Sequence, residues 1–331
     1  MNHSCFFRIA RSTAIALFAG TLTLGCSPRP ELQTFYPAPM PSPSVPATPT
    51  RSPAELPALT RAPNWQQDNH VHALGVDPDN PEVLYIATHY GLVRRSEDGQ
   101  WYWVGDDRSD YMGFAVDPGD RDRFYMSGHP PTGGNLGFRV TENRGKDWKT
   151  ESMSGVDFHA IAVAPADPKT IYGWATSGEV GFFVSRDRGQ TWTELRPIGL
   201  EEMPFNLIVD PARPDRVFAT TRAGLYQSNN SGRNWALVPN TDTAPIVGLA
   251  VLEDGTESTL YGYRLLDSAP GLYRSNNGGQ TWETFGEGIE GIVVHLVQAP
   301  GNSQILYAAN QDNGIFQSRD RGATWTAIAT P

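Results

Sequence analysis

Downstream of residue 65 the chain is a succession of short apolar runs, separated by clusters of Gly, Pro, Asn and Asp, and the runs recur in a fixed order. An apolar run comes first: HALGV, MGFAV, HAIAV, FNLIV, VGLAV and VHLVQ. In five of the six repeats a turn follows, at Asp77-Pro78, Asp117-Pro118, Ala164-Pro165, Asp210-Pro211 and Ala299-Pro300. A second run is VLYIAT, RFYMSG, TIYGWA, RVFATT, TLYGYR or ILYAAN. A third, such as GLYQS or GIFQS, precedes a tryptophan that opens a fourth. Runs this short, rich in aromatic and β-branched residues and bounded by turn formers, predict strands. No stretch carries a helical period.

Four strands in each unit of about 45 residues is the content of one blade of a β-propeller. The sequence therefore predicts an all-β fold, a six-bladed β-propeller of four-stranded antiparallel blades over 64–331. One blade cannot bury both of its faces. Six in a ring cover one another and leave few open edges.

Between the third and fourth strands lies a repeated octet: TENRGKDW at 141–148, SRDRGQTW at 185–192, SNNSGRNW at 228–235, SNNGGQTW at 275–282 and SRDRGATW at 318–325. A shortened copy, SEDGQW, occupies 96–101. Its tryptophans, Trp101, Trp148, Trp192, Trp235, Trp282 and Trp325, are spaced 47, 44, 43, 47 and 43 residues apart. The third residue, Asp98, Asn143, Asp187, Asn230, Asn277 or Asp320, can accept hydrogen bonds from turn N–H groups. The glycine can take positive φ, and the Trp can bury its ring between blades. The octet resembles the Asp-box, or BNR repeat, of sialidase-type propellers. The resemblance covers the chain beyond residue 70 and implies a structural staple on the face opposite the usual site. In that family a Phe-Arg-Ile-Pro motif carries a carboxylate-binding Arg. Here FRIA stands only at 7–10, inside the leader, so the resemblance does not extend to sialidase activity.

The first 25 residues read as an export signal, with Arg8 and Arg11 before an apolar run at 12–24 that is too short to span a bilayer. The run ends in Gly25-Cys26-Ser27, similar to a bacterial lipobox although Thr23 departs from it. Cys26 is the expected lipidation site; an ordinary signal with Cys26 as a free thiol is the alternative. Residues 26–63 form a proline-rich tether, with eleven prolines between 27 and 63, suited to extended chain and to reach. The expected location is outside a bacterial membrane, anchored through the N-terminal lipid. After cleavage one cysteine remains, so no internal disulfide is possible. The 24 basic and 36 acidic residues left give a net charge of −12, which excludes a nucleic-acid partner by charge. The expected partners are the membrane and a small-molecule, glycan or protein ligand.

Ring geometry places the start of each innermost strand and the loop after each second strand on one face, the top. All six histidines of the mature chain fall there: His70 and His72 in DNHVHALGV, His159 in DFHAIAV, His295 in the sixth repeat, and His89 and His129 in second-to-third-strand loops. With Asp68 and Asp157 they are candidates for a ligand or transition-metal site, imidazole being both a common metal ligand and a general acid or base. The alternative is that each histidine only bonds loop backbone. Top-face acids Asp106, Asp107, Asp110, Glu201, Glu202 and Asp267 offer carboxylates for glycoside hydrolysis, and Arg222 and Arg264 could hold an anion. These phrases look like a group of exported bacterial Asp-box proteins commonly labelled glycosyl hydrolase or sialidase-like. A scaffold resembling the photosystem II assembly propeller is the third reading, although that family has seven blades and a basic patch.

Overall fold

A computed structural model describes residues 56–254 and 257–329. The export signal, Cys26 and most of the proline-rich segment lie outside the described residues. Every regular element among those described is a strand, and the strands form six antiparallel sheets. Each sheet is one repeat taken in chain order. Blade 3, for example, runs Asp157–Val163, Ile171–Ser177, Gly181–Ser185 and Thr193–Leu195 from inside to outside. The other innermost strands are Val71–Val76, Asp110–Val116, Asn206–Asp210, Ile246–Asp254 and Val293–Ala299.

The second strands explain their own composition. Leu84–Thr88 is buried at every position, because neighbouring blades cover both of its faces, and a strand covered on both sides reads as a continuous apolar run. The outermost strands of blades 2, 3 and 5, Lys149–Ser152, Thr193–Leu195 and Glu283–Thr284, are short, mostly polar and largely exposed, which blunts their open edges. Six apolar clusters fill the six junctions between blades. The one joining blade 6 to blade 1 combines Ile305, Tyr307 and Ile315 with Trp65, Val71, Leu84 and Ile86. The same junction carries Tyr307 Oη donating to Pro81 O at 2.7 Å and the Arg319–Glu82 ion pair at 2.6 Å.

Blade 6 supplies all four of its own strands, so the ring closes by packing rather than by strand exchange. The tether ends earlier than the sequence indicated. Leu59–Arg61 pairs with Trp101–Val104 as a fifth, outer strand of blade 1, and Ala62 and Trp65 are buried just after it. The addition leaves the phase of the ring unchanged.

The octets are staples. In blade 3 the Ser185 hydroxyl donates to Asp187 Oδ1 at 2.8 Å and accepts from Gly189 N at 2.8 Å, while Thr191 N donates to the same carboxylate oxygen at 2.9 Å. Gly189 has φ +84°, and Arg188 before it +63°. The Trp192 ring lies 4.9 Å from Phe138 of blade 2 and 5.0 Å from Phe158 of its own blade. Box backbone also bonds the preceding turn of its blade, through Arg144 N to Asp122 O and Arg188 N to Lys169 O. The boxes therefore share a face with the Pro turns, away from the histidines.

Candidate functional site

The innermost strands do not start as regular ladders. In blade 1, Val71 pairs with Thr88 and Ala73 with Ala87, which leaves His72 without a partner. In blade 3, Phe158 pairs with Ala175 and Ala160 with Trp174, which leaves out His159. Blade 2 leaves out Tyr111 and Met112 in the same way. A bulge of this kind re-aims a side chain, and here the bulged positions border the mouth of the central channel. A cavity of about 390 Å³ there is lined by His70, His72, Met112, His159 and His295, among others.

Two clusters form beside this mouth. In the first, His72 Nε2 is 3.1 Å from Asp110 Oδ1 and His89 Nδ1 is 2.7 Å from Asp110 Oδ2. In the second, His129 Nε2 and His159 Nε2 lie 3.2 and 2.6 Å from Asp157 Oδ2. Both are built from equivalent parts: a histidine just after the second strand (His89) or at its last residue (His129) reaches the first residue of the next blade's inner strand, Asp110 or Asp157. Asp157 is 1% exposed and Asp110 15%. Burial pushes Asp110 up, but the imidazoles of His72 and His89 outweigh it and hold the carboxyl below its usual value. Partial burial and the neighbouring His72 and His89 lower His70. In each cluster the donor atoms lie within 4.8 Å of one another, and two imidazoles with one carboxylate are a donor set for a divalent transition ion.

Four of the six histidines enter the clusters. His70 stands just before its strand, its ring 5.3 Å from that of His72, and joins neither. His295 sits deep in the channel, where its Nε2 donates to Val71 O at 3.3 Å and burial lowers its pKa to about 4. Asp68 occupies a left-handed turn, φ 54°, and is in neither cluster. Asp110, which the sequence grouped with the acids, belongs to the first cluster. Its equivalence to Asp157 was readable from DYMGF and DFHAI. Asp107 is paired with Arg139 at 3.1 Å. Arg264 is buried, donates to Asn240 O at 2.7 Å and stacks on Tyr273, so it packs the fold instead of presenting an anion site. Arg222 is exposed, 3.9 Å from Glu202.

Ring, boxes and repeat order together define a six-bladed Asp-box β-propeller. The BNR/Asp-box repeat family matches residues 183–194. Among solved structures the chain is similar to the GH74 xyloglucanase from Xanthomonas campestris, with TM-score 0.54, 18% identity, and 82% of this chain and 46% of that one covered. The GH74 enzyme from Niastella koreensis gives 0.56, 15%, 83% and 47%. A chain of the nidogen/laminin complex gives 0.53, 13%, 72% and 89%. At these identities the likeness is one of fold, and this chain spans less than half the length of either GH74 enzyme. No curated protein matches the sequence.

Proposed function

We propose that this chain is a lipid-anchored, extracytoplasmic propeller that binds a ligand or a metal ion at its histidine-lined top face. The observation that carries the reading is the pair of His–Asp–His clusters on adjoining blades at one channel mouth. Cys26 supplies the anchor and the proline-rich segment the reach, so the propeller would meet its ligand away from the membrane surface. A glycoside hydrolase is the second reading, supported by the fold shared with the GH74 enzymes. Asp110 fits it poorly, because a general acid needs a raised pKa and this carboxyl is held low.

The test is a thermal-shift panel of divalent metals, small anions and oligosaccharides on the chain from residue 27 onward, with a His72→Ala/His159→Ala variant beside it. At least one compound should raise the melting temperature of the wild type and not that of the variant. A panel in which no compound separates the two proteins overturns the reading. Separately, Cys26→Ser in the full precursor should release the protein from the membrane fraction.

A further inference from the structure

We propose that the top face holds two divalent transition-metal ions, one in each His–Asp–His cluster: one between His72, His89 and Asp110, the other between His129, His159 and Asp157. The proposal rests on the top-face reading above and narrows it to an ion class, a stoichiometry and two ligand sets.

Unsatisfied atoms are the first argument. His72 Nε2 and Asp110 Oδ1 are buried and 3.1 Å apart, yet the angles between them do not make a hydrogen bond, and each lacks any other partner. Asp157 Oδ1 is also buried without a partner. Other buried atoms without a partner among the described residues are arginine, tryptophan or threonine donors, whereas the two carboxylate oxygens and the one imidazole nitrogen left open all belong to these clusters, the atom types that a cation would complete. A cation bound by both His72 Nε2 and Asp110 Oδ1 needs no proton between them.

The second argument is a tautomer. His129 Nδ1 lies 3.1 Å from the carbonyl oxygen of Gly134. A carbonyl only accepts, so Nδ1 carries the hydrogen. In the neutral ring Nε2 is then a bare lone pair, and it faces Asp157 Oδ2 at 3.2 Å. Lone pair against carboxylate is repulsive. A second proton on the ring removes the repulsion, and so does a metal ion. A backbone carbonyl holding the far nitrogen is the usual outer support of a metal-bound imidazole.

The third argument is duplication with one change. The His-to-Asp reach from a second strand to the next blade occurs twice at equivalent positions, and each cluster completes itself with a bulged inner-strand histidine from an outer blade, His72 from blade 1 or His159 from blade 3. In blade 2, between them, the bulged place is filled by Met112, which lines the same cavity. Asp110 of one cluster and His129 of the other are direct ladder partners, so the two sites adjoin through one β-pair. Three protein ligands per ion leave a coordination position for water or for a molecule in the cavity.

The decisive experiment is equilibrium dialysis of the chain from residue 27 onward against zinc, followed by elemental analysis, with cobalt(II) as an absorbing substitute. The expected result is two zinc ions per chain, one in Asp110→Asn, one in Asp157→Asn and none in the double variant. Visible cobalt bands should halve in each single variant. Because Asp157 is buried and its replacement could unfold blade 3, His89→Ala, half-exposed, serves as a second probe of the first site and should also leave one ion. Circular dichroism checks each fold. One ion in the wild type, or an unchanged count in Asp110→Asn and His89→Ala, overturns the two-site proposal. No zinc at all overturns it too, while a ligand found in the thermal-shift panel would leave the broader reading standing.

Discussion

Gly189 and Gly133 share almost the same backbone, φ +84° and +83°, in opposite surroundings. A Cβ on Gly133 would meet nothing within 4 Å, whereas one on Gly189 would run into the ring of Phe138 of the preceding blade. That ring cannot move aside. It is fully buried, 4.9 Å from Trp192 and 5.6 Å from Tyr125. Alanine at either place takes on left-handed strain of about 1–2 kcal/mol. Part of this is offset by about 0.4–1 kcal/mol from the stiffer unfolded chain. Gly133→Ala should therefore lose about 0–1.6 kcal/mol. Gly189→Ala adds the overpacking of a filled junction, typically about 1–3 kcal/mol. For a domain of this size each kcal/mol lowers the melting temperature by roughly 2–4 °C, so the two variants should separate by roughly 2–12 °C. Urea denaturation of both, together with Phe138→Leu in each background, measures the contact directly. Phe138→Leu should recover part of the loss in Gly189→Ala and none in Gly133→Ala. Equal losses in the two glycine variants, with no recovery, would show that the box glycine serves φ alone and that the staple does not register one blade against the next.

Two other outcomes follow from the geometry. His295 binds its proton near 6.5 when unfolded and near 4 in the channel, so the unfolded chain holds more protons between those values. Its contribution is complete above pH 6.5 and is lost as pH falls toward 4, at most about 3 kcal/mol at 1.36 kcal/mol per pKa unit, since the ring borders the channel cavity. In His295→Gln, which keeps a donor for Val71 O, the urea midpoint should fall less on going from pH 7.5 to 4.5; parallel profiles would refute the assignment. Truncation should distinguish the added strand from the ring closure. Starting the chain at Ala62 removes Leu59–Arg61, exposed at all three residues, and should shift the melting temperature only slightly. Trp65→Ala removes a buried ring 5.3 Å from Trp101 and should cost about 3–5 kcal/mol. Melting curves in which the strand deletion is the more damaging would place closure in the fifth strand.

The blades were legible because each repeat states its chemistry locally. Asp187, Gly189 and Trp192 fulfil in the structure the roles that spacing assigned them, and the same is read five times over. The top-face clusters were only half legible. Sequence puts His72 and His159 at strand starts, but a bulge determines where they point, and bulges come from pairing with Thr88 and Ala87 or with Ala175 and Trp174. His295 stands one step beyond the bulged place, and one step in a strand turns a side chain to the other face; it is bound to Val71 O instead of joining a cluster. Leu59–Arg61 could not be read as a strand. Three residues between Pro57 and Pro63 carry no alternation, and only the neighbouring Trp101–Val104 edge gives them a partner.

Whether the histidines and aspartates serve the fold or something beyond it can be argued from the other blades. Counting back from the turn proline, the residue six places earlier is His72, Met112 and His159 in blades 1 to 3, but Phe205 and Val294 in blades 4 and 6. Eight places earlier stand Asp110 and Asp157 in blades 2 and 3, against Met203 and Ile292 in blades 4 and 6. Phe205, Met203 and Val294 line the same cavity as the histidines. Blade 6 keeps its bulge with Val294 in it. The ring thus closes with apolar residues at these places, although the inner strand of blade 4 then begins only at Asn206 and that of blade 6 at Val293. A carboxylate that is 1% exposed carries a desolvation penalty of several kcal/mol unless its partners compensate it, and one oxygen of Asp157 has none. Blades 1 to 3 therefore hold, at places taken by Val or Phe in blades 6 and 4, buried polar groups whose cost the proposed cations would relieve. That asymmetry around the ring, more than the number of histidines, is the reason to look for chemistry on one side of the channel mouth.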